Sequence, residues 1–94
     1  MTLAAMRDEM GAIDKEIIHL IAKRQKIAGK IARLKREEGI PVRDDTQAKA
    51  VTARAFDWAV EEKIDPVSVQ DIFSILIAMS EERQRECLGE GNLP

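Results

Sequence analysis

Residues 3–41 read LAAMRDEMGAIDKEIIHLIAKRQKIAGKIARLKREEGIP, and their apolar spacing decides the architecture. One heptad series runs Leu3, Met10, Ile17, Arg24, Ile31; a second runs Met6, Ile13, Leu20, Ile27, Leu34. Five heptads in register predict one continuous helix that packs along a seam. Gly11 is tolerable inside it, at up to ~1 kcal/mol relative to Ala. Gly39 can supply a left-handed C-cap and Pro41 blocks continuation, which bounds the helix at about Thr2 to Glu38. Such a helix is roughly 55 Å long at ~1.5 Å per residue. A compact chain of this size has a radius of gyration near ~12 Å. The rest of the chain cannot cover the rod, so the sequence predicts a partner chain along it.

Two further helices follow. Asp44 or Asp45 can N-cap the second, with acidic charge at the positive end of its dipole. Its apolar face is Ala48, Val51, Ala55, Trp58 and Ala59, and it fades at Lys63. Asp65 then offers an N-cap and Pro66 a first helical residue. The third helix carries Val69, Ile72, Phe73, Leu76 and Met79 and ends near Gly89, with a frayed tail from Gly89 to Pro94. The expectation is a single all-α domain over residues 1–94, with helices at about 2–38, 44–63 and 66–88. The long helices pair between chains in an intertwined homodimer.

Composition narrows the function. The 94 residues are 45 % hydrophobic and 34 % charged, a globular balance. With 3 % aromatics the core must be aliphatic. A net charge of −2, with acids among the bases, argues against nucleic acid as a partner. The single cysteine, Cys87, can form no intrachain disulfide, has no companions for a zinc site, and reads as a small buried hydrophobe. No apolar run reaches the ~20 residues that span a bilayer. A cytoplasmic protein without a membrane span or a zinc site is expected.

Several polar residues break the apolar pattern. Arg24 takes a seam position whose other members are apolar. It either snorkels outward and specifies pairing, or sits partly buried to bind an anion. Lys35 lies about 20° around the helix from Arg24 and ~16 Å along it, near enough for both to reach one small anion. Alone, Lys35 reads as a surface residue between Arg33 and Arg36. Ser80 and Gln84, four residues apart, share a face of the third helix, which also fits a helix turning polar as it leaves the core. His19 falls on the outer face of the first helix. No nucleophile–base pair or metal-ligand cluster is evident, so an enzyme built this way would work by positioning and electrostatics.

These features together resemble the all-helical chorismate mutases, over Leu3 to about Leu88. The first motif is Met6-Arg7, Ile13-Asp14 and Ile17 to Arg24. The second is Ala32-Arg33-Leu34-Lys35 followed by Gly39-Ile40-Pro41-Val42-Arg43-Asp44. The third is Ile75 to Ser80, with Gln84 one turn on. The resemblance implies a homodimer with two active sites that rearranges chorismate to prephenate in Phe/Tyr biosynthesis, without cofactor. It assigns Arg7 of one chain, with Arg24 and Lys35 of the other, to the two substrate carboxylates, assisted by Ser80. Lys35 and Gln84 would hydrogen-bond the ether oxygen, and Asp44 would sit near the substrate hydroxyl. Geometry gives separate support for the crossing: Arg7 lies ~25 Å along the helix from Arg24 and about 100° around it.

The sequence departs from the family pattern after Asp44. Where an arginine and a glutamate usually follow, it has Gln47 and Ala48. The glutamate ordinarily binds the substrate hydroxyl. Losing one hydrogen bond to a charged group costs ~1.5–3 kcal/mol, or about ten- to a hundredfold in rate. A weaker mutase is expected, in which Asp45 could partly substitute and Ala48→Glu should raise kcat/KM. Two other readings stay open: an isochorismate pyruvate-lyase, which shares this fold, and a catalytically silent helical dimer.

Overall fold

The computed structural model describes residues 1–89. It is all-helical: α1 (Leu3–Glu38), α2 (Asp45–Glu61) and α3 (Pro66–Cys87), with no strand among the described residues. Each helix starts on a side-chain oxygen that caps a free backbone N–H. Thr2 Oγ1 accepts from Ala5 N at 3.1 Å, Asp44 Oδ1 from Gln47 N at 3.0 Å, and Asp65 Oδ2 from Ser68 N at 3.2 Å. Pro66 opens α3, as its fixed φ favours. Gly39, at φ 69°, closes α1 by turning the chain left-handed, and Ile40 N donates to Lys35 O at 2.8 Å. Lys63 closes α2 in the same way at φ 59°, a conformation that costs a residue bearing a Cβ. The expected tail lies outside the described residues except for Gly89.

α3 packs against both α1 and α2, which do not pack on each other. The core is made of small residues: Ala28 and Ala32 of α1 and Ala55 and Ala59 of α2 are buried. Small side chains bring the helix axes close, and a Cβ built on Gly29 would stand 3.3 Å from Cys87 Sγ. Side-chain bonds to the backbone of a neighbouring segment help to brace the array. Gln70 Nε2 donates to Thr52 O at 3.2 Å, and Arg36 Nη2 to Leu88 O at 3.2 Å.

The large aliphatics lie mostly outside this core. Leu3, Met10, Ile13, Ile17, Leu20, Ile27, Ile31 and Leu34 are all exposed in the single chain. The packed face of α1 is confined to its second half, around Ile21, Ala28, Gly29 and Ala32. The chain extends 54 Å along its longest axis, with a radius of gyration of 16.3 Å. Its accessible surface is 7435 Å², against about 5,400 Å² for a compact monomer of this mass.

Three assignments need correcting. Trp58 is not on the packed face of α2; it is 52 % exposed, with the Arg54 guanidinium 5.2 Å from its ring centre. Ile72 and Met79 are exposed on α3, where Val69, Phe73, Leu76 and Ile77 are the half-buried apolar residues instead. Cys87 is exposed, because it ends α3 at the rim of the contact with α1.

Candidate active site

The second half of α1 carries two cations on the face that meets α3. Arg24 is half-buried and lies against that helix. Its Nη1 donates to Leu76 O at 3.4 Å and to Ser80 Oγ at 3.3 Å, with the guanidinium carbon 5.9 Å from the Phe73 ring centre. These bonds hold the guanidinium by one edge. Lys35, eleven residues on, donates from Nζ to Val42 O at 2.6 Å and ties α1 to the loop that follows it. An ammonium has three donors, so two remain.

Both cations line one cavity of about 410 Å³. Ser80 and Gln84 form its α3 side with Ile77 and Glu81, and Asp44, Gln47, Ala48 and Val51 form its α2 side. Ile31 and Val42 complete the wall. The volume suits a small organic molecule. Gln84 is 5 % exposed, and its Oε1 has no hydrogen-bond partner. A buried amide oxygen left unpaired costs ~1–3 kcal/mol.

Most of the predicted site residues therefore meet. Arg24, Lys35, Asp44, Gln47, Ala48, Ser80 and Gln84 share the cavity; Arg7, exposed and far along α1, does not line it. Asp45 does not line it either: it pairs with Arg43 at 2.9 Å on the surface, facing a neighbouring cavity. The Arg43 guanidinium is held above its ordinary pKa first by the hydrogen bond and charge of Asp45, then by the charge of Glu81. As lining residues of this cavity, sequence reading missed Glu81, Ile31, Val42, Val51 and Ile77. The only signal for Glu81 was its place next to Ser80. Among the described residues no cluster of His, Cys, Asp and Glu side chains could hold a metal ion. No helix there is long and apolar enough to cross a membrane.

Fold and site define a class: a three-helix scaffold whose cavity is lined by two cations, Arg24 and Lys35, two carboxylates, Asp44 and Glu81, and the neutral polar groups of Gln47, Ser80 and Gln84. The chain belongs to the type II chorismate mutase family, whose profile matches residues 6–85. It is 33 % identical over 88 residues to a chorismate mutase of Methanocaldococcus jannaschii, covering 94 % of this chain and 89 % of that protein. It is also 27 % and 28 % identical to bifunctional chorismate mutase/prephenate dehydratases from two subspecies of Buchnera aphidicola. Those alignments cover 94 % and 93 % of this chain but only 23 % of each longer relative.

Proposed function

We propose that the protein is a chorismate mutase that converts chorismate to prephenate in the biosynthesis of Phe and Tyr, with residues 1–94 as one catalytic domain. The observation that carries this reading is the convergence of Arg24, Lys35, Ser80 and the buried Gln84 on one cavity in a chain of this family. The reaction is an intramolecular rearrangement, so it needs no proton transfer and no covalent intermediate. The chain's residues have two tasks: to hold the folded conformer of the substrate and to stabilise charge as the C–O bond breaks.

Arg24 would bind a carboxylate through the guanidinium edge it does not use on α3, with Ser80 beside it. Lys35 and Gln84 would donate to the ether oxygen, where negative charge grows. The Gln84 amide would donate to that oxygen through Nε2, because its unpaired Oε1 can only accept. Asp44, Gln47 and Ala48 would form the wall near the rest of the ring. An acceleration of ~10⁶ corresponds to about 8 kcal/mol, within reach of several charge-assisted contacts.

The same reading includes a homodimer in which Arg7 of the partner completes the carboxylate site. Two observations support it. The chain exposes about 2,000 Å² more surface than a compact monomer of its mass would, and its longest helix shows an apolar ridge from Leu3 to Leu34. A cytoplasmic location, proposed with it, suits a chain whose single cysteine forms no intrachain disulfide.

The test is a continuous ultraviolet assay of chorismate loss, with prephenate identified as product and molar mass measured by light scattering. A prephenate-forming dimer is expected. A folded dimer that leaves chorismate unchanged would overturn the assignment.

A further inference from the structure

Glu81 stands at the boundary between two cavities. Ala48 of α2 and Ile77 and Glu81 of α3 line both the Arg24–Lys35 cavity and its neighbour, which holds Arg43 and Asp45. The Glu81 side chain is 20 % exposed, and its ion pair with Arg85 is long, at 3.7 Å. That leaves its carboxylate with lone pairs for another donor.

Chorismate, the proposed substrate, carries two carboxylates and one hydroxyl. Arg24 and Lys35 match the carboxylates by charge, while the hydroxyl needs an acceptor. Among the other acceptors of the cavity, Ser80 Oγ already accepts from Arg24, Asp44 is exposed with one oxygen on Gln47 N at 3.0 Å, and the unpaired Gln84 Oε1 is a neutral amide oxygen, a weaker acceptor than a carboxylate. Glu81 is balanced by Arg85 and by the charge of Arg43 on the side of the neighbouring cavity, so its carboxylate can face a site for a dianion at the end where the substrate offers a donor, the hydroxyl.

We propose that Glu81 is a substrate-binding residue, and that its carboxylate accepts the hydrogen bond of the substrate hydroxyl from α3, across the gap left by Ala48. The inference rests on the chorismate mutase reading. It relocates to α3 a carboxylate that the family pattern leads one to seek at Ala48 on α2.

The experiment compares kcat/KM for chorismate, and the unfolding midpoint, in five proteins besides wild type: Glu81→Ala, Glu81→Gln, Ala48→Glu, Glu81→Ala/Ala48→Glu and Arg85→Ala. Glu81→Ala is expected to lose about 10- to 100-fold in kcat/KM. Glu81→Gln, which keeps the side chain's shape if the alanine variant folds poorly, should lose about fivefold or more because a neutral amide oxygen is a weaker acceptor. Ala48→Glu should restore activity in the Glu81→Ala background but, against the gain expected from the sequence alone, add none to wild type, where two carboxylates would crowd one donor. Arg85→Ala removes the ion pair and keeps the carboxylate, so it should stay within about twofold of wild type. Full activity in Glu81→Ala and Glu81→Gln, or an equal loss in Arg85→Ala, overturns the assignment while leaving the mutase standing. A wild-type protein that converts no chorismate overturns the mutase reading, and this inference with it.

Discussion

Arg24→Leu separates catalysis from architecture, because the structure sets the two effects at different sizes. In the folded chain Arg24 makes two hydrogen bonds to α3, at 3.4 and 3.3 Å, and stands 5.9 Å from the Phe73 ring centre. Both bonds exceed the 2.7–3.2 Å range of strong ones, and the ring contact lies at the outer limit of a cation–π interaction, so together they contribute about 1–2 kcal/mol. Leu76 O also sits inside helix α3, where the backbone can satisfy it, so no buried orphan is created there. A leucine would recover about 1 kcal/mol by packing against Phe73 and Leu76. The net change in stability is thus within ~1 kcal/mol, a shift of about 4–8 °C in Tm for a domain of this size. Activity should fall much further than stability. Two charge-assisted bonds to a substrate carboxylate, at ~1.5–3 kcal/mol each, imply a loss of at least about a hundredfold in kcat/KM. The assay is chorismate disappearance followed by its ultraviolet absorbance, beside a thermal melt of each protein. Retention of more than about a tenth of wild-type kcat/KM, or a melt lowered by about 15 °C or more, would refute this division of roles.

Three further outcomes follow from the fold. Lys63→Gly should raise Tm, by up to ~1 kcal/mol in stability, because Lys63 holds φ at 59° where glycine has no Cβ penalty; an unchanged or lower midpoint in a chemical denaturation series would count against it. Gly29→Ala should also stabilise, by less than ~1 kcal/mol, because the gain in helix propensity meets a Cys87 Sγ at 3.3 Å that can rotate at the exposed end of α3; a loss of stability would mean that the α1–α3 contact there cannot yield. The Asp65 carboxylate is held below its ordinary pKa by the Ser68 hydroxyl and then the Ser68 backbone N–H. Its contribution is therefore complete above the unfolded value near ~3.9 and disappears as pH falls through the lower folded value. The Tm difference between wild type and Asp65→Asn should be constant from pH 7 to about 5 and shrink below about 4; a difference that stays flat down to about pH 2 would contradict this.

The helices were legible in the residues because their signals are local. The caps at Thr2, Asp44 and Asp65, the proline at 66 and the glycine at 39 act over a turn or two, and each does so in the folded chain, while the heptad stretch forms one continuous helix, α1. The pairing of Arg24 with Lys35 was legible for the same reason, since eleven residues of one helix set their angle and rise. Ser80 and Gln84 came from spacing together with resemblance; periodicity alone reads them equally well as a helix turning polar.

Tertiary structure decided what depends on how α2 and α3 lie against each other. No local pattern says that Glu81 reaches the cavity while Asp45 turns to Arg43, because that depends on the rotation of two helices that small residues bring close. Nor does periodicity say which apolar face a helix buries within its own chain. Trp58 and Ile72 fit the apolar stripes and stand outside, while the core falls to Ala28, Ala32, Ala55 and Ala59. An apolar pattern records that a face leaves water, but it does not record whether the surface that covers it belongs to the same chain.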